Sequence, residues 1–336
     1  MNRVTIAGLE LPRTAALAPM ASVADRAYRQ LCRSFGACMV TSELISAKGM
    51  CYNDTKTAEL CTITPQERPM ALQLFGSEPK FIQQAVKLLL PFRPDVIDLN
   101  MGCPVPKVVN TGAGSALMKE MNTAAELVTA ARMASDVPVT VKIRRGWSED
   151  TVNCVEFACR MAEAGAQAIT VHGRTRSQLY SGRADWDCIR AVKQAVSVPV
   201  IGNGDVCSGE DCLRMYRETG CDLVMVGRAS YGNPWIFSEV SAALGFAERA
   251  VKPDSAERRR VILMHMRRHF DYYGGDRGAV TFRKHLIHYF KGIPGSDAAL
   301  KTLVTERNPA GLEAGLEAFL ARAQETDRKE TEVRYD

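Results

Sequence analysis

The sequence contains no uninterrupted apolar stretch near the roughly 18 residues of a membrane-spanning helix. Its opening, Met1 to Ile6, is too short in apolar length to read as a secretory signal. It also lacks any C-x-x-C pair, and its eleven cysteines are scattered and odd in number. A disulfide framework is therefore excluded, and reduced thiols in a cytoplasmic protein are expected. No G-x-G-x-x-G follows the first apolar run, which argues against an open, doubly wound dinucleotide-binding sheet. What is present is ordinary for a folded chain: 46% hydrophobic and 24% charged residues. That composition excludes a disordered chain, a collagen and a coiled coil. At 336 residues there is room for one large domain and a small one, or for two.

The net charge of +5 hides an asymmetry. Between Val251 and Lys301 eleven Lys/Arg face five Asp/Glu, and four of the five histidines (265, 269, 285 and 288) lie there too. Such a segment is an electrostatic footprint for a polyanion, or else a solvated face. The first 235 residues alternate short apolar runs with helical patterns. Eight runs (15–18, 37–41, 69–75, 95–99, 138–143, 168–172, 199–202 and 222–227) read as buried parallel strands. Between them, Phe81, Ile82, Ala85, Val86 and Leu89 repeat at helical spacing, with Ser77 expected as cap and Pro79 in the first turn. Val23, Ala27, Leu31 and Phe35 form another stripe, ended by Gly36. A (β/α)8 TIM barrel is the economical architecture. Beyond Trp235 the patterns are helical: Ile262, Met266, Phe270 and Tyr273 form one stripe, and Leu312, Leu316, Phe319 and Leu320 another. The expected division is a barrel over 1–245, a small all-α domain over 253–323, and a charged, fraying tail over 324–336, with Lys252-Pro253-Asp254 at the boundary.

In this architecture chemistry sits where strands end. The loops after runs seven and eight carry Asn203, Gly204, Asp205 and Gly227, Arg228; their glycines let backbone N–H groups approach a phosphate, or simply serve tight turns. Lys142 ends run five inside apolar surroundings and Gln73 sits in run three, where an amide suits the rim of a flat heterocycle. Phosphate, cation and amide together describe a bound flavin mononucleotide (FMN). Cys103, in Asn100-Met101-Gly102-Cys103-Pro104, is a thiol still protonated near neutrality, fit to act as general acid or nucleophile. The other ten cysteines read as buried and structural. Cys154/Cys159 and Cys207/Cys212 would diverge on a helix, so no metal is expected.

These residues together resemble the tRNA-dihydrouridine synthases, most nearly their bacterial B-type branch. The resemblance rests on Ala18-Pro19-Met20-Ala21, Asp98 to Pro104, Gly112 to Met118, Val171 to Arg176, Asn203-Gly204-Asp205 and Gly232 to Phe237. Arg283-Lys284-His285 resembles part of the family's tRNA-binding helical domain. Departures are Ser22 where Gly is usual, Ala27 where Pro is usual, and Gly202 where Ala is common. The resemblance implies that Cys103 donates a proton. It also implies that Pro19, Met20, Ala21, Gln73, Lys142, His172, Asn203, Gly204, Asp205, Gly227 and Arg228 hold FMN. Asn100, Arg144 and Tyr180 fall where the family touches the substrate base, and Arg174 and Arg176 are rim candidates for phosphate.

The implied activity is NADPH- or NADH-driven reduction of the C5–C6 bond of uridines in tRNA, with no membrane or obligate protein partner. Two other readings are a flavin barrel acting on a free pyrimidine or small enone, and a tRNA-binding protein whose reductase activity is secondary. The first leaves the basic helices unemployed, and the second leaves Cys103 and the flavin set unemployed.

Overall fold

The computed structural model describes residues 2–52, 54–248 and 253–333. An antiparallel hairpin, β1 (Arg3–Ile6) and β2 (Leu9–Pro12), precedes β3 (Ala15–Leu17), β4 (Val40–Thr41), β5 (Ile45–Ser46) and β6 (Met70–Phe75). Then come β7 (Val96–Met101), β8 (Val139–Arg144), β9 (Ile169–His172), β10 (Val200–Asn203) and β11 (Leu223–Val226). All pairings after the hairpin are parallel. β3, β4 and β6–β11 close into an eight-strand barrel through β11–β3 and β4–β6, with β5 a two-residue extension beside β6. Each of the eight expected apolar runs supplies one barrel strand. They read as continuous because both strand faces are covered; all six residues of β7, for example, are buried.

The hairpin was not expected. Only Val4, Ile6 and Leu11 of its eight residues are buried, too brief an alternation to read as strands. It is held by tertiary contacts: Arg13 donates to the Cys221 and Asp222 carbonyls at the start of β11, and Tyr216 donates to the Thr14 carbonyl.

The stripe through Leu31 becomes the helix Arg26–Ser34, whose N-cap is Asp25; one carboxylate oxygen accepts the Tyr28 amide at 3.0 Å. Gly36 follows it at φ +100°. The helix Pro79–Leu89 starts later than expected. Pro79 occupies its first position, Glu78 is the N-cap, and the Ser77 hydroxyl instead donates to the Thr111 carbonyl at 2.7 Å.

After the barrel come the helices Ser255–Tyr273, Gly275–Tyr289, Ser296–Leu303 and Pro309–Val333. Leu312, Leu316, Phe319 and Leu320 form a buried stripe as expected. The stripe of the first helix differs: Ile262 and Met266 are buried, Phe270 and Tyr273 only half so, and His265 and His269 take core positions. Three of the four histidines counted with the basic surface (265, 269 and 285) are in fact buried. Helix continues to Val333, past the point where fraying is expected, and 334–336 lie outside the described residues. So do 249–252, including Lys252 of the expected boundary. Among the described residues no helix is long and apolar enough to cross a membrane.

The helical region abuts the barrel mouth. Tyr231, just beyond β11, packs against His288 with ring centroids 4.8 Å apart. The Gly232 backbone presses on the chain at His288–Tyr289: an added Cβ would lie 2.5 Å from the His288 carbonyl carbon. Gly232 also has φ +63°, which a side chain rarely adopts. Gly232→Ala therefore combines backbone strain with overpacking, and should cost about 3 kcal/mol in chemical denaturation. A variant of wild-type stability would disprove the contact's importance.

Candidate functional site

The C-terminal ends of the barrel strands surround a cavity of ≈ 570 Å³, well within the range of small-molecule sites. All fifteen candidate residues named above for catalysis, flavin and substrate line it: Cys103, the Pro19-Met20-Ala21 loop, Gln73, Asn100, Lys142, Arg144, His172, Tyr180, Asn203, Gly204, Asp205, Gly227 and Arg228. Residues from seven of the eight barrel strands and the loops after them thus share one cavity.

A buried polar chain crosses its floor. Thr140 on β8 and Gln73 on β6 donate to the two oxygens of Asp98 on β7, at 2.5 and 2.6 Å. Asn100 donates to the Gln73 side-chain carbonyl at 2.8 Å, and the Asn100 carbonyl accepts the amides of Gly102 (3.2 Å) and Cys103 (2.9 Å). Asn100 thus folds the loop that carries Cys103 and is largely committed to it. Asp98, the acceptor at the root of the chain, was not among the expected site residues. Burial pushes its carboxyl up, opposed by Gln73, Thr140 and Lys142.

Cys103 is half-buried, and burial raises its thiol above the ordinary value against the pull of Arg144 and Lys142. A thiol so placed is protonated at neutral pH. The Arg144 guanidinium, expected at the substrate, is tied to backbone: it donates to the carbonyls of Gly102 (2.8 Å), Thr175 (2.7 Å) and Leu179 (2.9 Å). It therefore joins the Cys103 loop to the loop bearing Tyr180. Burial lowers it to about 10. Lys142 donates to the Asn203 carbonyl at 2.9 Å, and burial together with Arg144 lowers the ammonium to about 8. His172 is held well below its usual value by burial and by Lys142, Arg144, Arg174 and Arg228, so its imidazole is neutral.

On the opposite wall Asp205, at φ +55°, binds Arg174 through both oxygens at 2.8 Å. Arg174 is buried and also donates to the carbonyls of Ser181 and Gly182. It is a structural arginine, not a rim group for phosphate. Arg176 lies against the Trp147 ring at 4.7 Å. Burial works to raise the Asp205 carboxyl, and Arg174 with the Ala184 amide outweighs it, leaving a carboxylate below its ordinary value. Arg228 remains half-exposed, stacked over Tyr180 at 4.5 Å and 3.7 Å from Asp205.

The donor set fits a flavin nucleotide. Arg228 and the glycine-bearing ends of β10 and β11 offer an anion site, and Lys142, Gln73 and Asn203 offer ring-edge partners. A Cβ added to Gly227 would meet only Ala18 and Met20, at 3.7 and 3.9 Å, so this glycine leaves cavity space. Among the remaining cysteines, Cys207 is exposed in the cavity wall and Cys51 and Cys159 are half-buried, so not all ten are core residues.

Ser22 stands at φ +64°, in the left-handed region that favours the glycine usual at this position, and its amide donates to Glu43. Gly114 is constrained more tightly. At φ +61°, its Cβ would lie 2.7 Å from the Cys103 carbonyl oxygen, which also accepts from the Ser115 amide and hydroxyl. Gly114→Ala must displace the Cys103 loop. The expected result is lost catalytic turnover with flavin binding changed little, checked by flavin titration and a turnover assay on the same sample.

Several known proteins are similar. The sequence profile described as "Dihydrouridine synthase (Dus)" matches residues 16–324. A tRNA-dihydrouridine synthase B of Pseudomonas aeruginosa is 40% identical over 296 residues, 88% of this chain and 89% of the relative. A probable tRNA-dihydrouridine synthase of Rickettsia prowazekii is 38% identical over 326 residues, 97% and 100% of the two chains. Among solved structures, a histamine dehydrogenase from Rhizobium sp. 4-9 superimposes with TM-score 0.58 at 14% identity. That match covers 79% of this chain and 50% of the other, and it bears on the fold alone. With a profile match over most of its length and relatives near 40% identity, the chain belongs to the dihydrouridine synthase family.

Proposed function

We propose that this protein is a tRNA-dihydrouridine synthase that reduces the C5–C6 double bond of uridines in tRNA, using FMN and a nicotinamide reductant. One observation carries the reading: a protonated thiol, Cys103, shares one cavity with a buried lysine, a neutral histidine and an anion-binding wall, beside basic helices. The flavin would be held by the Pro19-Met20-Ala21 loop, Gln73, Lys142, His172, Asn203, Gly204, Asp205, Gly227 and Arg228, and when reduced it supplies hydride for uracil C6.

The chain's own residues do the rest. Cys103 holds the proton that C5 must receive, and burial keeps it on sulfur until the base needs it. The thiolate left behind faces Arg144 and Lys142, whose charges ease the transfer. Arg144 holds the Cys103 and Tyr180 loops at a fixed separation, and the exposed Tyr180 ring offers an apolar face to the base. A uridine stacked in folded tRNA must leave its stack to reach this depth. The exposed Arg260, Arg267, Arg277, Lys291 and Lys301 of the helical region supply contacts for the phosphate backbone. Arg260 and Arg267 are each paired with a glutamate (Glu257 and Glu313), so their share is moderated.

Cys103→Ala should lower dihydrouridine formation in unmodified tRNA transcript by roughly 100- to 10,000-fold, read by nucleoside mass spectrometry, while tRNA and flavin still bind. Product from free uridine at the same rate would point to a small-molecule reductase instead. The alkaline limit comes from Lys142. Its lowered pKa means the ammonium loses its proton as pH rises through about 8, where the raised Cys103 thiol keeps its own. Flavin affinity of the ligand-free protein should therefore fall across that pH, and Lys142→Arg should move the break upward. A flat titration across pH 8 in the wild type would refute the assignment.

A further inference from the structure

Three of the five histidines converge on one carboxylate where the barrel meets the helical region. His265 and His269 lie one turn apart on the helix Ser255–Tyr273, His285 lies on Gly275–Tyr289, and Asp25 caps Arg26–Ser34. All four are buried, and one donor atom from each lies within 4.8 Å of the others. Asp25 Oδ2 is 3.3 Å from His269 Nδ1 and 3.4 Å from His285 Nε2. Ligand bonds of about 2.0–2.1 Å to a tetrahedral zinc ion put neighbouring donors about 3.3–3.4 Å apart, the same separation.

Proton placement sharpens this. The Thr281 hydroxyl donates to the Arg277 carbonyl at 2.7 Å, so it accepts from His269 Nε2 at 2.8 Å. His269 Nδ1 then faces a carboxylate oxygen, with no hydrogen bond between them. His265 is arranged alike: its Nδ1 pairs with the Tyr289 hydroxyl at 2.9 Å, and its Nε2 is buried without a hydrogen-bond partner. Two buried ring nitrogens without a hydrogen bond, beside His285 Nε2 and the carboxylate it meets at 3.4 Å, are donor atoms that a cation would satisfy. A second partner that fixes the ring, here a hydroxyl on His265 and on His269, is what metal-bound histidines ordinarily have. Lys284, part-exposed and 3.5 Å from Oδ2, meets the same oxygen and belongs to that outer shell; its charge works against the ion.

We propose that Asp25, His265, His269 and His285 form a closed, four-ligand structural site for one zinc ion. In the sequence only the pairs Cys154/Cys159 and Cys207/Cys212 suggest a metal, and they lie elsewhere. Nothing in i, i+4 histidines on one helix, with a third on the next, reveals that Asp25 stands against them. The ion would staple the helical region to the helix that follows the Pro19–Ser22 loop. It would have no redox role and would leave electron transfer to the cavity.

The test is elemental analysis of untagged, full-length protein dialysed against metal-free buffer. One zinc per chain is expected, lost in His269→Gln and in His285→Gln and kept in His288→Gln, whose histidine lies outside the cluster. Chelation should lower the melting temperature, and one equivalent of zinc should restore it. Should the histidine variants not fold, Co2+ loaded into the wild type decides. Strong visible bands of a four-coordinate ion, without sulfur-to-cobalt charge transfer, support the site. A sulfur charge-transfer band, a weak six-coordinate spectrum, zinc retained in the folded histidine variants, or a folded wild type that binds neither metal each overturn it.

Discussion

The Asp98 carboxylate sets the arrangement of the whole cavity floor. An ionised carboxylate only accepts hydrogen bonds, so Gln73 must turn its amide nitrogen toward Asp98 and its carbonyl toward Asn100. Asn100 must then present its own carbonyl to the Gly102 and Cys103 amides. Each orientation dictates the next, and the last of them decides where the Cys103 sulfur stands. Such a chain is costly if one member is missing, because every group in it is buried. Thr140 completes it from β8, so three adjacent strands share the work of holding one loop.

The same cavity is crowded with positive charge. Lys142, Arg144, Arg174 and Arg228 surround it, with Asp98 and Asp205 set against them. Burial, with this repulsion added to it, lowers Lys142 and keeps His172 neutral. An electron-rich ring or a phosphate entering here relieves the repulsion, which is a reason for affinity that needs no new contact. The neutral Cys103 thiol is the counterpart: desolvation keeps it protonated even though nearby cations favour the thiolate.

Much of this was legible in the sequence because a barrel puts its chemistry at predictable points. Every apolar run marked a strand, and the fifteen residues picked from those strands and the loops after them for catalysis, flavin and substrate all line the cavity. What the sequence could not convey was where long side chains end. Arg174 reads as a rim charge until Asp205 is found opposite it, and Arg144 reads as a substrate group until three carbonyls claim it. The basic segment misled for the same reason. Its histidines look like surface charge beside so many arginines, yet His285 turns inward to an aspartate 260 residues earlier. Ser77 failed as a cap for a local reason, since a proline at the first helical position moved the start.

The helical region is held against the barrel by packing. The contacts that hold it include the Gly232 backbone against His288–Tyr289, Tyr231 against His288, and Asp25 against the buried histidines. These lie beside cavity loops, since Tyr231 lines the wall and Asp25 follows the Pro19-Met20-Ala21 loop by a few residues. The distance from the exposed cations of these helices to the Cys103 sulfur is therefore set by this packed interface. A large polyanion bound to those cations presents only one part of itself to the cavity. Selection among many chemically identical uridines then becomes a matter of length and angle, which an interface of buried groups can hold constant and a flexible tether could not.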